Sequence, residues 1–379
     1  MIHATRPDRL ARTLAVLRRW GLTPAGACAV AAIRHPDRAA VVDERGAVSF
    51  GQLQHRTNAL ARALRKAGVA DGDTVAVMCA NRRGFIEAIV AASKLGVHLL
   101  CLDTELPPGR ITDVLGRGRP AAVIHDEQFA SLIVPAGVAC PRFIASCEPG
   151  ERPSGLLLED LIAREATDEL APPRNRAGMA LLTVASGGSA QHVERTVPCS
   201  LVAPAAMLSP IPLRRGETTV LAAPLCHPWG FVHLKLGLRL GSTLVLPRPC
   251  DPHGALRAVA RHRASALALA PETLRRIVGL GRDAIAEHET SCLRLIAVNG
   301  SSLLQGLAMS AMRSFGGVLY DLHGPSMVKL NGRWVSLDHG HPPRHASPAS
   351  RIYRGRRAMP ARHARRPSWM ALPGRTGDR

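Results

Sequence analysis

Short apolar runs alternate along this chain with segments whose apolar residues recur three and four positions apart. Asp73 to Ala80 holds the run Thr-Val-Ala-Val-Met-Cys, after which Phe85, Ala88, Ala92 and Leu95 fall on one helical face. Val97 to Leu102 is apolar again, and Ala121 to His125 follows a further helical stretch, a βαβαβ pattern. The alternation returns with predicted strands at 219–226, 242–247, 264–270, 293–299 and 318–322, and Asp251 is placed to cap a helix beginning at Pro252. Such alternation predicts an α/β fold of two doubly wound, mainly parallel sheets with flanking helices and right-handed crossovers.

The prolines at 141, 149, 153, 172 and 173 predict a connection between two subdomains. The expected organisation is a basic helical segment at 1–34, a first α/β subdomain with its linker at 35–176, a second at 177–330, and a basic tail at 331–379. In the first segment a helix from Pro7 to Trp20 carries Leu10, Leu14 and Leu17 on one face, with Arg9, Arg12, Arg18 and Arg19 around it. That stripe packs on its own domain or lies on an anionic membrane.

Charge sharpens the picture at the tail. The chain has a formal charge of +20, and residues 331–379 contribute 11 Arg against 2 Asp, without Lys or periodic apolar spacing. The tail reads as disordered, either as a polybasic arm for phosphates or as out-of-frame translation of a GC-rich gene. Reading the other two frames past the Leu330 codon distinguishes these. Concentration of the excess in the tail argues against a nucleic-acid partner. No apolar run is long enough to span a bilayer and the N-terminus is Arg-rich, so the expected location is cytoplasmic, with membrane contact at most peripheral. Nine Cys without a C-x-x-C pair suggest reduced thiols rather than a zinc ribbon or a disulfide framework.

Four motifs fall at predicted strand ends, where ligands collect in such sheets. Leu181 to Ala190 is a Gly- and Ser-rich loop in which backbone N–H groups at Gly187 and Gly188 and hydroxyls of Thr183, Ser186 and Ser189 can meet phosphate oxygens; an ordinary flexible turn has the same composition. Ala223 to Phe231 sets His227 and Trp229 where they can line an acyl pocket, His227 donating to a carboxylate, or simply pack at a strand end. Leu295 to Ser302 and Leu319 to Met327 put small residues where backbone can approach a planar ring.

In this order and spacing, the four motifs resemble the adenylate-forming (AMP-binding) superfamily, and within it the fatty acyl-CoA ligases. The resemblance spans about Leu10 to Leu330 and includes His35-Pro-Asp-Arg-Ala-Ala-Val-Val-Asp43, Ser49-Phe-Gly-Gln-Leu53 and Asn58-Ala-Leu-Ala-Arg62. It implies ATP- and Mg²⁺-dependent activation of a fatty acid to an acyl-adenylate, then transfer to coenzyme A. Phosphate and nucleotide contacts would come from Thr183, Ser186, Gly187, Gly188, Ser189, Asn299, Gly300, Ser301, Asp321, His323, Gly324 and Ser326; acyl contacts would come from His227, Trp229 and Gly230.

The same resemblance exposes departures. Val193 stands for the phosphate-binding Lys, with Arg195 the nearest cation, and His323 for the Tyr that stacks on adenine. Met327 replaces the Mg²⁺-holding Glu, and a thioether is a poor ligand for a hard ion. The family's C-terminal domain with its catalytic Lys is not recognisable past Leu330, so no catalytic residue and no metal ligand is nominated. The expectation is a ligase with impaired or incomplete turnover; the alternatives are a non-catalytic acyl- or nucleotide-binding relic and a basic membrane-surface or interaction protein.

Overall fold

A computed structural model describes residues 7–174, 178–184, 192–198, 211–248, 251–299, 305–323, 327–330 and 333–336. The strands are β1 (Ala39–Asp43), β2 (Gly46–Ser49), β3 (Thr74–Met78), β4 (His98–Leu102), β5 (Ala122–Asp126), β6 (Arg142–Ser146), β7 (Leu156–Leu157), β8 (Gly178–Val184) and β9 (His192–Pro198). They continue with β10 (Thr218–Leu221), β11 (Thr243–Val245), β12 (Ala266–Leu269), β13 (Leu295–Asn299), β14 (Leu319–His323), β15 (Met327–Leu330) and β16 (Arg333–Ser336).

These strands form two sheets. One has seven strands in the order β7-β6-β5-β3-β4-β8-β9, the other nine in the order β16-β15-β14-β13-β12-β10-β11-β1-β2. Both are parallel through the middle, and antiparallel pairing falls at the edges: β8 with β9, β1 with β2, and β14 with β15 and β15 with β16. All five positions of β3, β4 and β5 are buried, and apart from Thr74, His98, His125 and Asp126 they are apolar, as strands covered on both faces require.

The sheets do not follow the division of the chain at 176/177. β1 and β2 leave the early segment to pair with β11 through Val41 and Leu244, while β8 joins β4 in the seven-stranded sheet through Leu102 and Leu182. Spacing patterns report an element's local period and not its partner, so this exchange of strands is invisible in the sequence.

Between the sheets, α2 (Pro24–Arg34), α3 (Phe50–Lys66), α4 (Arg83–Leu95) and the helix Pro228–Leu240 share one apolar core, including Phe50, Phe85 and Phe231. Local chemistry sets their ends. Thr23 accepts from Gly26 N with Pro24 behind it, Ser49 and Gln52 close a capping box, and α4 stops at Gly96, whose φ of 74° suits a residue without Cβ. Asp251 caps the helix Pro252–His262 by accepting from Gly254 N.

Lys94 lies within this core at 1% exposure. Its Nζ donates to Thr57 Oγ1 at 2.7 Å, Asn58 Oδ1 at 2.6 Å, and both Gln54 O and Gln54 Oε1 at 3.1 Å. Burial pushes the ammonium down to about 8.

The first helix, α1 (Pro7–Trp20), turns a different face inward than its leucine stripe predicts. Thr13, Val16 and Trp20 are buried, whereas Leu10 is 47% and Leu14 58% exposed. Arg19 holds this rotation by donating to Glu169 Oε2 at 3.1 Å and Leu170 O at 2.8 Å.

Candidate active site at the strand reversals

Each sheet has a reversal of winding near its middle. The chain runs from β3 to β4 and then jumps back across β3 to β5; it runs from β10 to β11 and jumps back across β10 to β12. Crevices open beyond the carboxyl ends of such reversal strands, because the crossovers leave in opposite directions. Here the two reversals face one another. A cleft of about 950 Å³ lies between them, lined by Cys79 to Arg82 after β3 and by Ala222 to Pro224, Cys226, His227 and Trp229 after β10.

His227 is the N-cap of the helix Pro228–Leu240, and its Nδ1 accepts from Trp229 N at 3.3 Å. Pro228 at the first helical position lacks the N–H that would otherwise need a partner. An imidazole that accepts at Nδ1 carries its proton on Nε2 when neutral, so the cap selects the tautomer that presents Nε2–H as the ring's donor.

Trp229 is 4% exposed; its Nε1 donates to Leu269 O at 3.2 Å and its ring meets His233 edge-on, centroids 4.4 Å apart. Complete burial pushes His233 down to about 4, so it stays neutral beside the indole. Gly230 answers a close approach: a Cβ there would lie 2.0 Å from Pro224 O. The motif at 223–231 is therefore wedged against its own strand end.

The opposite turn is made of Asn81, Arg82 and Arg83. The Arg83 guanidinium pairs with Asp43, from β1, through Nε at 3.0 and 3.1 Å, and reaches Gly46 O at 2.9 Å. Burial pulls the Asp43 carboxyl up, but the Arg83 hydrogen bonds outweigh it and hold it below the usual range. Arg82 pairs with Glu44 at 2.9 Å and Glu148 at 2.8 Å and also donates to Ser146 Oγ. Below it Asp126, 1% exposed, accepts from Ala80 N at 2.8 Å through Oδ2, and burial pushes its carboxyl up to about 6. Spacing alone did not mark these residues, although two adjacent arginines directly after an apolar strand were a signal available in the sequence.

Among the residues nominated from sequence, His227 and Trp229 line the cleft, and Gly230 packs against Pro224 O next to them. Thr183 lies near the end of β8, opposite Val193 of β9. Arg195 pairs with Leu181, two residues further along β9 than Val193. Asn299 ends β13 beside Leu322, buried Asp321 pairs with Val298 and Lys329, and His323 stands opposite Met327. These four positions share one end of the nine-stranded sheet. Ser186, Gly187, Gly188, Ser189, Gly300, Ser301, Gly324 and Ser326 lie outside the described residues.

Comparison with known proteins agrees with this arrangement. The solved anthranilate CoA ligase AuaEII, in complex with anthranoyl-AMP, superposes with a TM-score of 0.73 at 17% identity over 84% of this chain and 63% of its own. The N-terminal domain of FACL13 from Mycobacterium tuberculosis gives 0.67 at 18% identity, over 81% and 78%. These likenesses establish the fold: α/β with two mainly parallel sheets, as in the N-terminal part of adenylate-forming ligases. In sequence, tenellin synthetase of Beauveria bassiana is 27% identical over 261 residues, 67% of this chain but 6% of that protein. Feruloyl-CoA synthase of Amycolatopsis sp is 27% identical over 284 residues, 72% and 53%. The chain thus spans about half or less of the length of these curated relatives. Residues 28–328 match the AMP-binding enzyme model, and the chain belongs to that family of adenylate-forming ligases.

Proposed function

We propose that this chain binds a carboxylic acid in the cleft and activates it with ATP, the carboxylate oxygen attacking the α-phosphate so that acyl-adenylate forms and pyrophosphate leaves. The observation that carries this reading is His227, whose capping bond fixes Nε2–H as donor at the wall of a cleft between two strand reversals. A donor held there orients the attacking carboxylate without taking its charge away. The nucleotide would lie along the carboxyl ends of β8, β13 and β14, where Thr183, Asn299 and Asp321 stand.

A fatty acid is the substrate we favour, with transfer to coenzyme A as the second step. Cys226, Trp229 and Phe129 give the cleft an apolar side. Magnesium fits poorly on the chemistry of one position: Met327 offers only a thioether where a hard ion takes oxygen ligands. No step is assigned to the ion.

Hydroxylamine trapping with ATP and a panel of short- to long-chain and aromatic acids tests the reading. Hydroxamate formation that is lost in His227→Ala is expected; none from a folded chain would reduce the protein to an acyl- or nucleotide-binding relic.

No helix among the described residues is long and apolar enough to cross a membrane. The outward Leu10 and Leu14, in a helix that also carries four Arg, favour contact with an anionic bilayer surface. Salt-sensitive sedimentation with phosphatidylglycerol vesicles is the expected result, and no binding at low salt would remove that partner.

A further inference from the structure

Asn81 directly follows the reversal segment of the seven-stranded sheet, and its carboxamide reaches the segment that follows β10 in the other. Nδ2 donates to Ala223 O at 2.7 Å and Oδ1 accepts from Leu225 N at 2.8 Å, across 142 and 144 residues of sequence. The side chain is 5% exposed and forms part of the cleft wall. A donor and an acceptor held in a plane imitate a strand neighbour, so this pair, with a longer Nδ2 contact to Leu221 O at 3.5 Å, acts as one rung between two sheets that share no strand pairing among the described residues.

The rung is placed where the second sheet's own bonding gives out. Ala222 N and Ala223 N both donate to Ala268 O. Past them Leu225 N is held by Asn81; His227 N then bonds Pro224 O at 3.1 Å, and Phe231 N bonds His227 O at 3.0 Å. Gly230 already touches Pro224, so a shift at 224 moves the start of the helix. The path from Asn81 to the His227 cap is continuous.

We infer that Asn81 is a positioning residue of the acid pocket: it fixes the course of 223–227 and thereby the point from which His227 meets a substrate carboxylate. The carboxylate part rests on the function proposed above; the clasp itself does not. Because Asn81 belongs to the opposite sheet, the pocket wall follows the spacing of the two sheets. Residue type matters here. Ala would leave Leu225 N–H buried without its acceptor, and an ionised Asp would set a negative oxygen against Ala223 O.

The full chain is compared as wild type, Asn81→Ala and Asn81→Asp, by hydrogen exchange without ligand and by calorimetric binding of dodecanoyl- and benzoyl-sulfamoyladenosine and of ATP. In Asn81→Ala, exchange over 223–231 should speed by about tenfold while β3 and β10 are unchanged, as expected from losing one buried hydrogen-bonded pair. Affinity for an acyl mimic should fall by about tenfold or more, with ATP within about twofold. Asn81→Asp should behave like Ala at pH 8 and recover as the pH falls, because a neutral carboxyl can donate to Ala223 O and accept from Leu225 N; Asn81→Ala should not recover. Unchanged exchange at 223–231 would overturn the clasp. Equal losses for ATP and the acyl mimics would overturn its role in the acid pocket. If wild type binds neither mimic, the proposed function fails while the exchange arm still decides the clasp.

Discussion

The turn after β3 and the turn after β10 face each other across the cleft at equivalent places in their sheets, yet they are built of opposite materials. The first is Asn81-Arg82-Arg83, saturated with partners: Ala223 and Leu225 for Asn81, Glu44, Ser146 and Glu148 for Arg82, Asp43 and Gly46 for Arg83. The second is Ala222 to Trp229, apolar apart from His227, and rigid through wedging at Gly230 and a ring contact at His233. Side chains tied to carboxylates, carbonyls and a hydroxyl of the protein serve to hold it together, so the β3 turn is a brace. The β10 turn is held by shape and by backbone, and His227 and Trp229 line the cleft from it.

The largest blow to this contrast should come from the brace. Arg83→Ala strands the Asp43 carboxylate, 1% exposed, and should destabilise the chain by about 3–5 kcal/mol in urea unfolding, since removing one partner leaves a buried charge unpaired. On the opposite turn, Gly230→Ala forces a methyl against Pro224 O and should cost about 1–3 kcal/mol, with loss of hydroxamate formation beyond what stability explains. A Gly230→Ala chain with wild-type stability would mean that the wedge is slack.

The next effect is pH-dependent. The Asp126 carboxyl is raised by burial to about 6 in the folded chain, so the folded state holds a proton that the unfolded state has already released. Its contribution to stability is fully present below about pH 4 and lost as pH rises through 6. Asp126→Asn removes that loss. The variant should be more stable than wild type in urea unfolding above pH 6.5, by on the order of 1–3 kcal/mol, with the gap closing by pH 4. A gap that does not change with pH would mean that Asp126 does not titrate in this range.

The smallest effect lies far from both turns. Leu10→Ser with Leu14→Ser should leave stability within about 0.5 kcal/mol, because both side chains are exposed, yet reduce sedimentation with anionic vesicles. An unfolding midpoint that drops with the double substitution would show instead that the outward face is covered.

Much of the brace's setting was legible in sequence and its contacts were not. Strands β3, β4 and β5 announce themselves because parallel strands buried on both faces are apolar at most positions, with Thr74, His98, His125 and Asp126 the exceptions here. Asp251 announces a cap because the bond it makes spans three residues. Asn81 announces nothing: its partners lie 142 and 144 residues away, and an Asn after a strand is ordinary turn chemistry. The leucines of α1 misled for a related reason. Spacing finds an apolar face, but the buried area of Trp20 and the Arg19 contacts with Glu169 and Leu170 choose which face turns inward. His227, Trp229 and Gly230 were found because chemistry and local geometry coincide within four residues.

The pairing of β1 with β11 has a consequence for how the chain is made. Thr243 Oγ1 bonds Ala39 O across 204 residues, so the β1–β2 hairpin leaves the ribosome long before its partner strand exists. At about 5–20 residues per second, Ala40, Val41 and Val48 wait roughly 10–40 s for cover. During that interval an apolar strand edge is open to any neighbouring chain, so the hairpin at 39–49 is a segment that shielding during synthesis would protect.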